Sequence, residues 1–428
     1  MDYISNIPDK KTKKRVVIVG GGFAGLTIAQ KLDRSKYQVV LIDKHNNHQF
    51  QPLLYQVATS GIEPSGISFP FRKIFQKFQD FHFRMGEAKA IDRAANILDT
   101  SIGVIEYDYL VIAMGCDTNY YGNTKLKDTT LALKSTSDAL YMRNYLLQNL
   151  ENAMNTSDPE LRKELLTFVI VGGGPTGVEM SGALAEMKKF VFPKDYPELS
   201  FDEMSISVIN GGDRLLATFS PELSAKTEEH LKYLNVQVIN KVFVTDYKDS
   251  LLSLSDGSSL RSKNVIWVAG ITPNKISGLD AASIHRSGRI ITDSYNLVKG
   301  ESNVFAIGDI AFVEETQGNP QVAQVAMQQA ETLVENLNGE FARKKAFAYH
   351  DKGSMATIGR NAAIAEIGKY KFSGFMAWFI WCFIHLRSIF GPKNKLIVFI
   401  NWVWNYFTYD QSLRLIIKPL KRSDCDLD

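Results

Sequence analysis

Val16-Val17-Ile18-Val19 runs directly into Gly20-Gly21-Gly22-Phe23-Ala24-Gly25, and an amphipathic run from Leu26 to Leu32 follows. The pattern returns at Phe168-Val169-Ile170-Val171, then Gly172-Gly173-Gly174-Pro175-Thr176-Gly177, then Val178 to Leu184. Each copy reads as a buried parallel strand, a glycine turn and a helix. An internal duplication of this kind organises the whole chain. Each copy also has a later partner run ending in glycine, Tyr109 to Gly115 for the first and Val265 to Gly270 for the second. Glycine at a strand end lets a ligand or another backbone approach closely.

The chain has 428 residues, too many for one ordinary core, so two or three domains are expected. The expected fold class is α/β: two nested doubly wound, Rossmann-like dinucleotide-binding domains and a C-terminal amphipathic helical segment. Residues 1–118 begin the first domain, 119–290 form the nested one, 291–370 return to the first and 371–428 stand apart. Ser135 to Ala153 predicts a connecting helix, and Asn303-Val304-Phe305-Ala306-Ile307-Gly308-Asp309 the return strand. Hydrophobic residues at 45% and charged residues at 22% describe a folded globular protein. A net charge of +3 gives no argument for nucleic acid. Cys116, Cys382 and Cys425 are odd in number and far apart, so neither a disulfide framework nor a redox dithiol is predicted. The short basic run from Lys10 to Arg15 precedes no apolar signal region.

Two glycine motifs in strand–turn–helix context predict two dinucleotide sites. Gly20 and Gly172 permit the tight turn, Gly22 and Gly174 admit a pyrophosphate, and Gly25 and Gly177 allow close helix–strand packing. The helix N-termini add amide donors and a favourable dipole. Val39 to Ile42 ends in Asp43, at the distance where an acid meets an adenosine ribose. Ser205 to Ile209 ends instead in Asn210, which repels a 2′-phosphate less than a carboxylate would. NADH is the preferred reading, and NADPH stays open. Asp309, at the carboxyl edge of its strand, suits the ribityl hydroxyls of a flavin, or a helix N-cap.

Three further stretches carry a family likeness: His48-Gln49-Phe50-Gln51-Pro52-Leu53-Leu54-Tyr55-Gln56-Val57-Ala58, Ser68-Phe69-Pro70-Phe71-Arg72 and Ala323-Gln324-Val325-Ala326-Met327-Gln328-Gln329. With them the chain resembles the two-dinucleotide-binding-domain flavoproteins, and within these it is similar to type II NADH dehydrogenase, an NADH:quinone oxidoreductase. The resemblance implies FAD on Gly20 to Gly25, including Phe23 and Ala24, with Asp43, Asp309, Ala323 and Gln324. It implies NADH on Gly172 to Gly177, including Thr176, with Glu179. Lys44, Ala88, Gly115, Asn210 and Gly270 complete the expected cofactor-binding set. Asn210 departs from the family, which usually carries an acid there.

A flavin reduced by NADH must pass on two electrons, and no cysteine pair is available to take them. The same shortage weighs against a sulfide:quinone oxidoreductase. Direct transfer to an acceptor follows, with the protein supplying position and electrostatics. Gln324 and Gln328, spaced i, i+4, share a helix face. Their amides suit a quinone ring, or simply a solvated face. Glu179 is the third expected catalytic residue, fixing the nicotinamide or coupling to flavin protonation; otherwise it complements the helix dipole. His45 and His48 lack the further ligands a zinc ion needs, so no metal site is predicted.

From about Phe372 the composition changes. Trp378, Trp381, Trp402 and Trp404 are four of the five tryptophans. Between Lys371 and Arg422 lie basic residues including Arg387, Lys393, Lys395, Arg414, Lys418 and Lys421, with Asp410 the only acid. Phe375 to Ile384 is too short to span a bilayer, and Asn401 and Asn405 mark a polar stripe on the next apolar run. Aromatic and basic residues together predict a helix lying in the membrane interface. A packed helical pair or a homodimer contact is the alternative. The expectation is a non-proton-pumping NADH:quinone oxidoreductase, peripheral on the cytoplasmic face of a bacterial membrane, whose partners are NADH, a membrane quinone and the lipid surface. A soluble NAD(P)H reductase feeding a small redox protein and an NADH-sensing flavoprotein are the competing readings.

Overall fold

The computed structural model describes residues 2–409 and 413–417. The chain folds into two units, each assembled from separate stretches. The first takes Met1–Gln49, Ser68–Asp117 and Ile271–Lys352, and the second takes Phe50–Ile67, Thr118–Gly270 and Gly353–Asp428. The sequence places a nested domain at 119–290; the corresponding stretch here is 118–270, joined by the short excursion 50–67.

The first unit is built on β1 (Lys14–Val19), β2 (Tyr37–Asp43), β3 (Phe81–Met85) and β4 (Tyr109–Ile112). With the returning strand Val304–Ala306 they form one five-stranded sheet, in the order Val304–Ala306, β4, β1, β2, β3. All of these pairings are parallel; Val17 sits between Val40 and Leu110. Helix α1 (Phe23–Lys31) packs against the helix Ala323–Asn338, and Ile28, Ala29, Ala330 and Leu333 fill that face. The opposite face is closed by Val17, Val40, Leu110, Ile290 and Ile310. Burial on both faces is why β1 reads as an unbroken apolar run. Tyr37 ties the layers together by donating to the Leu337 carbonyl at 2.6 Å. Burial pushes its phenol up to about 12.

The second unit opens with the excursion, which forms α2 (Leu54–Ala58). Its core sheet contains β5 (Leu131–Ala132), β6 (Thr167–Val171), β7 (Ser205–Asn210), β8 (Val236–Asn240) and β9 (Asn264–Trp267), in the order β5, β9, β6, β7, β8. These strands too are parallel. The predicted connecting helix is α3 (Thr136–Met154), started by a reciprocal cap between Ser135 and Asp138. Helix α4 (Pro175–Glu186) follows the second glycine turn. Both α3 and α4 pack against α2.

A three-stranded antiparallel sheet then lies on α4: β10 (Ser354–Gly359), β11 (Ala362–Ile367) and β12 (Tyr370–Gly374). The close approach requires Gly182, where an added Cβ would stand 1.8 Å from the Ile358 carbonyl oxygen. These strands fall mostly in the stretch that the sequence gives to the flavin domain. Helices α5 (Phe375–Ser388) and α6 (Pro392–Thr408) end the described chain. Lys418, Lys421, Arg422, Asp410 and Cys425 lie outside the described residues.

Candidate active site: two glycine cradles and a buried carboxyl

In the first unit the turn after β1 is forced by contacts that only glycine tolerates. Gly20 has φ +96°, and a Cβ there would meet the Ala113 carbonyl oxygen at 2.5 Å. At Gly25 a Cβ would stand 1.8 Å from the Gly20 oxygen. Gly22 is different: nothing lies within 4 Å of its missing Cβ, so this is the open wall of the cradle. Gly22 is also the N-cap of α1 and offers no side-chain cap to the helix start. Asp43, at the end of β2, accepts from Gly21 N at 2.6 Å and His45 N at 2.7 Å. Burial raises its pKa, and those two amides oppose the rise.

Other residues of this unit stiffen the cradle. His48 is buried, with Nδ1 2.9 Å from the Gly21 carbonyl and its ring edge-on to Phe23. This is a loop-supporting role for His48. Gly308, at φ +76°, donates its N–H to Gln329 Oε1 at 2.7 Å, which sets the turn carrying Asp309. Ala323 begins its helix after Val322, again with no side-chain cap. Gly115 has φ +64° with open space at its Cβ position, Lys44 is exposed, and Ala88 begins a strand of a small antiparallel sheet. The amides of Gln324 and Gln328 turn toward 350–352: Gln324 Oε1 accepts from Lys352 N at 3.0 Å, and Gln328 exchanges two 2.9 Å bonds with the His350 backbone. Gln329, which the sequence does not single out, makes the cradle contact instead.

The second unit repeats the construction. Gly172 has φ +125° and its Cβ would be 2.6 Å from the Val268 oxygen, while a Cβ on Gly177 would stand 1.9 Å from the Gly172 oxygen. Gly174 has nothing within 4 Å, and α4 starts behind it without a side-chain cap. Thr176 lies in the first turn. Asn210 lies beneath Gly173 and is held by Gly212 O at 3.1 Å and Asn240 Oδ1 at 2.8 Å. Gly270 approaches the Tyr121 hydroxyl, which donates to Ala269 O at 2.7 Å.

Glu179, one turn into α4, is 9% exposed. Burial pushes its carboxyl up to about 8, against weaker opposing pulls from Thr357 N–H, 3.5 Å away, and from the Trp381 indole. At neutral pH it therefore carries a proton. Tyr55 lies near it; its phenol is held far above the ordinary value by burial first and by the Glu179 charge second. Gln56 donates to Tyr55 Oη at 3.0 Å and accepts from Trp402 Nε1 at 2.8 Å.

The description "Pyridine nucleotide-disulphide oxidoreductase" matches residues 14–330, and "NDH2 C-terminal domain" matches residues 351–409. The type II NADH:quinone oxidoreductase NdhA of Mycobacterium tuberculosis is 34% identical over 91% of this chain and 86% of its own. The chain belongs to the type II NADH:quinone oxidoreductase family. A second M. tuberculosis relative of this family, Ndh, is also 34% identical, over 92% of this chain and 89% of its own. The structure of NDH2 from Plasmodium falciparum in complex with NADH superposes with a TM-score of 0.87 at 22% identity, covering 95% of this chain and all of that one. As a type II NADH:quinone oxidoreductase the enzyme is a flavin-dependent oxidoreductase, and its two cradles fit that cofactor and its nucleotide substrate. Each offers an open glycine wall and an uncapped helix start to a pyrophosphate.

The C-terminal helices of this type II NADH:quinone oxidoreductase have two different sides. Trp381 is 1% exposed, Trp402 bonds Gln56, and Asn405 donates to Gly61 O at 2.9 Å. Asn405, of the predicted polar stripe, thus faces protein. Outward stand Phe379, Phe383, Phe399, Ile400, Trp404 and Phe407, with Phe407 76% exposed. No helix among the described residues is long and apolar enough to cross a membrane.

Proposed function

We propose that the enzyme oxidises NADH held at the Gly172–Gly177 cradle and reduces a membrane quinone, and that Gly20–Gly25, Asp43 and Asp309 would hold FAD. Two cradles of one design in a chain without a cysteine pair carry this reading. Bound flavin supplies the two-electron acceptor for hydride. The chain's own part is to position and to manage protons. The α1 amides neutralise one pyrophosphate and the α4 amides the other. Asp43, fixed by two backbone donors, accepts from an adenosine ribose. Ala323 and its helix start would line the flavin, and Gln324 and Gln328 would bound the quinone's approach. Glu179, protonated at neutral pH, steadies the nicotinamide end and holds a proton there. Asn210 brings no charge to repel a 2′-phosphate, so NADPH is the competing substrate to assay.

The outward apolar face of α5 and α6 rests in the lipid interface, on the cytoplasmic side, where the quinone is dissolved. Protein with Gly22→Val is expected to purify without flavin colour. Protein with Gly174→Val should stay yellow but need at least tenfold more NADH. A wild-type protein that binds FAD and bleaches with NADH, yet passes no electrons to a soluble quinone, would end this reading.

A further inference from the structure

β7 and β8 run parallel and end together: Asn210 and Asn240 are their last residues and are register partners. Asn210 is 9% exposed, and its Cγ and Oδ1 lie 2.6 Å from where a Cβ on Gly173 would stand. Its amide thus sits under the glycine turn of the second cradle and must find its partners there. Nδ2 donates to Gly212 O at 3.1 Å and to Asn240 Oδ1 at 2.8 Å, which spends both of its hydrogens. Oδ1 accepts from Gly212 N at 3.4 Å and keeps a second lone pair.

Glu228, on the helix Pro221–Tyr233, decides which way Asn240 faces. A carboxylate only accepts. Its Oε1 takes Asn240 Nδ2 at 3.0 Å and Leu215 N at 3.3 Å. With Nδ2 committed there, Asn240 shows Oδ1 to Asn210, and Asn210 answers with its own Nδ2. The chain Glu228–Asn240–Asn210 therefore has one polarity from end to end. The first cradle is built otherwise, since Asp43 meets two backbone N–H groups, of Gly21 and His45. Asn210 meets one N–H and two oxygens. That is a socket for an amide and a hostile one for a carboxylate.

We propose that this relay selects NADH over NADPH by fixing which edge of the Asn210 amide faces the nucleotide. The inference rests on the reading of the Gly172–Gly177 cradle as the NADH site, and names the residues that set its choice. Only an acceptor is left on Asn210, so it takes a hydrogen from the ribose 2′-hydroxyl of NADH. A 2′-phosphate brings lone pairs and negative charge where a hydrogen is needed. Selection survives without an acid. Asn240 and Glu228 are positioning residues, acting through Asn210. Two cations pull the other way. Lys241 is paired with Asp213 at 3.4 Å. Arg214 donates from Nη2 to Ala217 O at 2.9 Å, while its Nη1 is buried without a partner among the described residues. The measured preference shows which influence wins.

The test titrates flavin-loaded enzyme with NADH and with NADPH, without quinone, and reads the half-saturating concentration for flavin bleaching. Calorimetry with ADP-ribose and 2′-phospho-ADP-ribose reads the adenosine end apart from any electron transfer. Wild type should favour the nucleotide without the extra phosphate by about tenfold or more in both, the worth of one good hydrogen bond. Glu228→Leu and Asn240→Leu free the amide to turn, and each should cut that preference about fivefold, chiefly through tighter NADPH. Glu228→Gln keeps an oxygen for Asn240 Nδ2 and Leu215 N, and should retain the wild-type preference. Asn210→Asp supplies the missing acid, yet should bind NADH about threefold more weakly, because the carboxylate then faces Asn240 Oδ1 and Gly212 O. Equal affinity for both nucleotides in wild type, an unchanged preference in both leucine variants, or tighter NADH in Asn210→Asp overturns the relay. ADP-ribose that does not bind at all overturns the nucleotide reading of this cradle, and the relay with it.

Discussion

The guanidinium of Arg360 lies 3.4 Å from the ring centroid of Tyr409, and its terminal nitrogens donate to Asn405 O at 2.6 Å and Tyr406 O at 2.7 Å. A side chain from the end of β10 thus caps the carboxyl end of α6, where helix carbonyls lack partners. Arg360→Ala should lower stability by about 2 kcal/mol, from two charge-assisted hydrogen bonds and a cation–π contact. Arg360→Lys should recover less than half, because an ammonium lacks the fork. Denaturant midpoints measure both; an unchanged midpoint in Arg360→Ala refutes the cap.

Gly182→Ala sets helix propensity against packing. Alanine in a helix interior gains about 1 kcal/mol over glycine. Its Cβ, however, would enter the Ile358 carbonyl at 1.8 Å. Backbone cannot yield as a side chain does, and overpacking of this kind costs about 1–3 kcal/mol or more. A net loss is expected, read as a fall in melting temperature, and a rise would show that β10 does not press on α4.

The Glu179 carboxyl, raised by burial from 4.5 to about 8, keeps its proton in the folded state where an unfolded chain has lost it. Its contribution to stability is therefore fullest below pH 4.5 and is lost as pH rises to about 8. Glu179→Gln has nothing to titrate. Wild type should lose stability relative to Glu179→Gln across this window, by on the order of a few kcal/mol. Unfolding curves at pH 5, 7 and 9 decide it; parallel losses in both proteins would mean that Glu179 is an ordinary carboxylate.

The outward side chains of α5 and α6 should control attachment to lipid. Replacing Phe379, Phe383, Ile400 and Phe407 together by serine removes four apolar groups that water otherwise touches. Each contributes up to about 1.5–3 kcal/mol when buried, so partition onto anionic vesicles should weaken about a hundredfold or more. Soluble-quinone activity should persist. Undiminished vesicle binding would assign this face to something other than lipid.

The glycine cradles are legible in sequence because their causes are local. Val16 to Gly25 and Phe168 to Gly177 each contain the strand, the turn and the helix start within one short span. The role of Gln329 is not legible, since its partner Gly308 is distant in sequence and neighbouring Gln324 and Gln328 look equally suited. Glu186 is not singled out in sequence, because Gly359 and Arg360, which cover it, are distant along the chain. Trp381, Trp402 and Asn405 were open to two readings, because composition alone does not separate a lipid-facing from a protein-facing stripe. The sheet formed by β10, β11 and β12 escaped because its packing surface, Gly182, announces nothing by itself.

Neither unit is continuous along the chain, and this governs the order in which a nascent polypeptide gains structure. The sheet around β1 lacks Val304–Ala306 until most of the message has been translated. At about 5–20 residues per second, that leaves β1, β2 and β4 waiting on the order of tens of seconds with an incomplete edge. Residues 118–270, which need no later strand for their own parallel sheet, emerge earlier and form the first template on the ribosome.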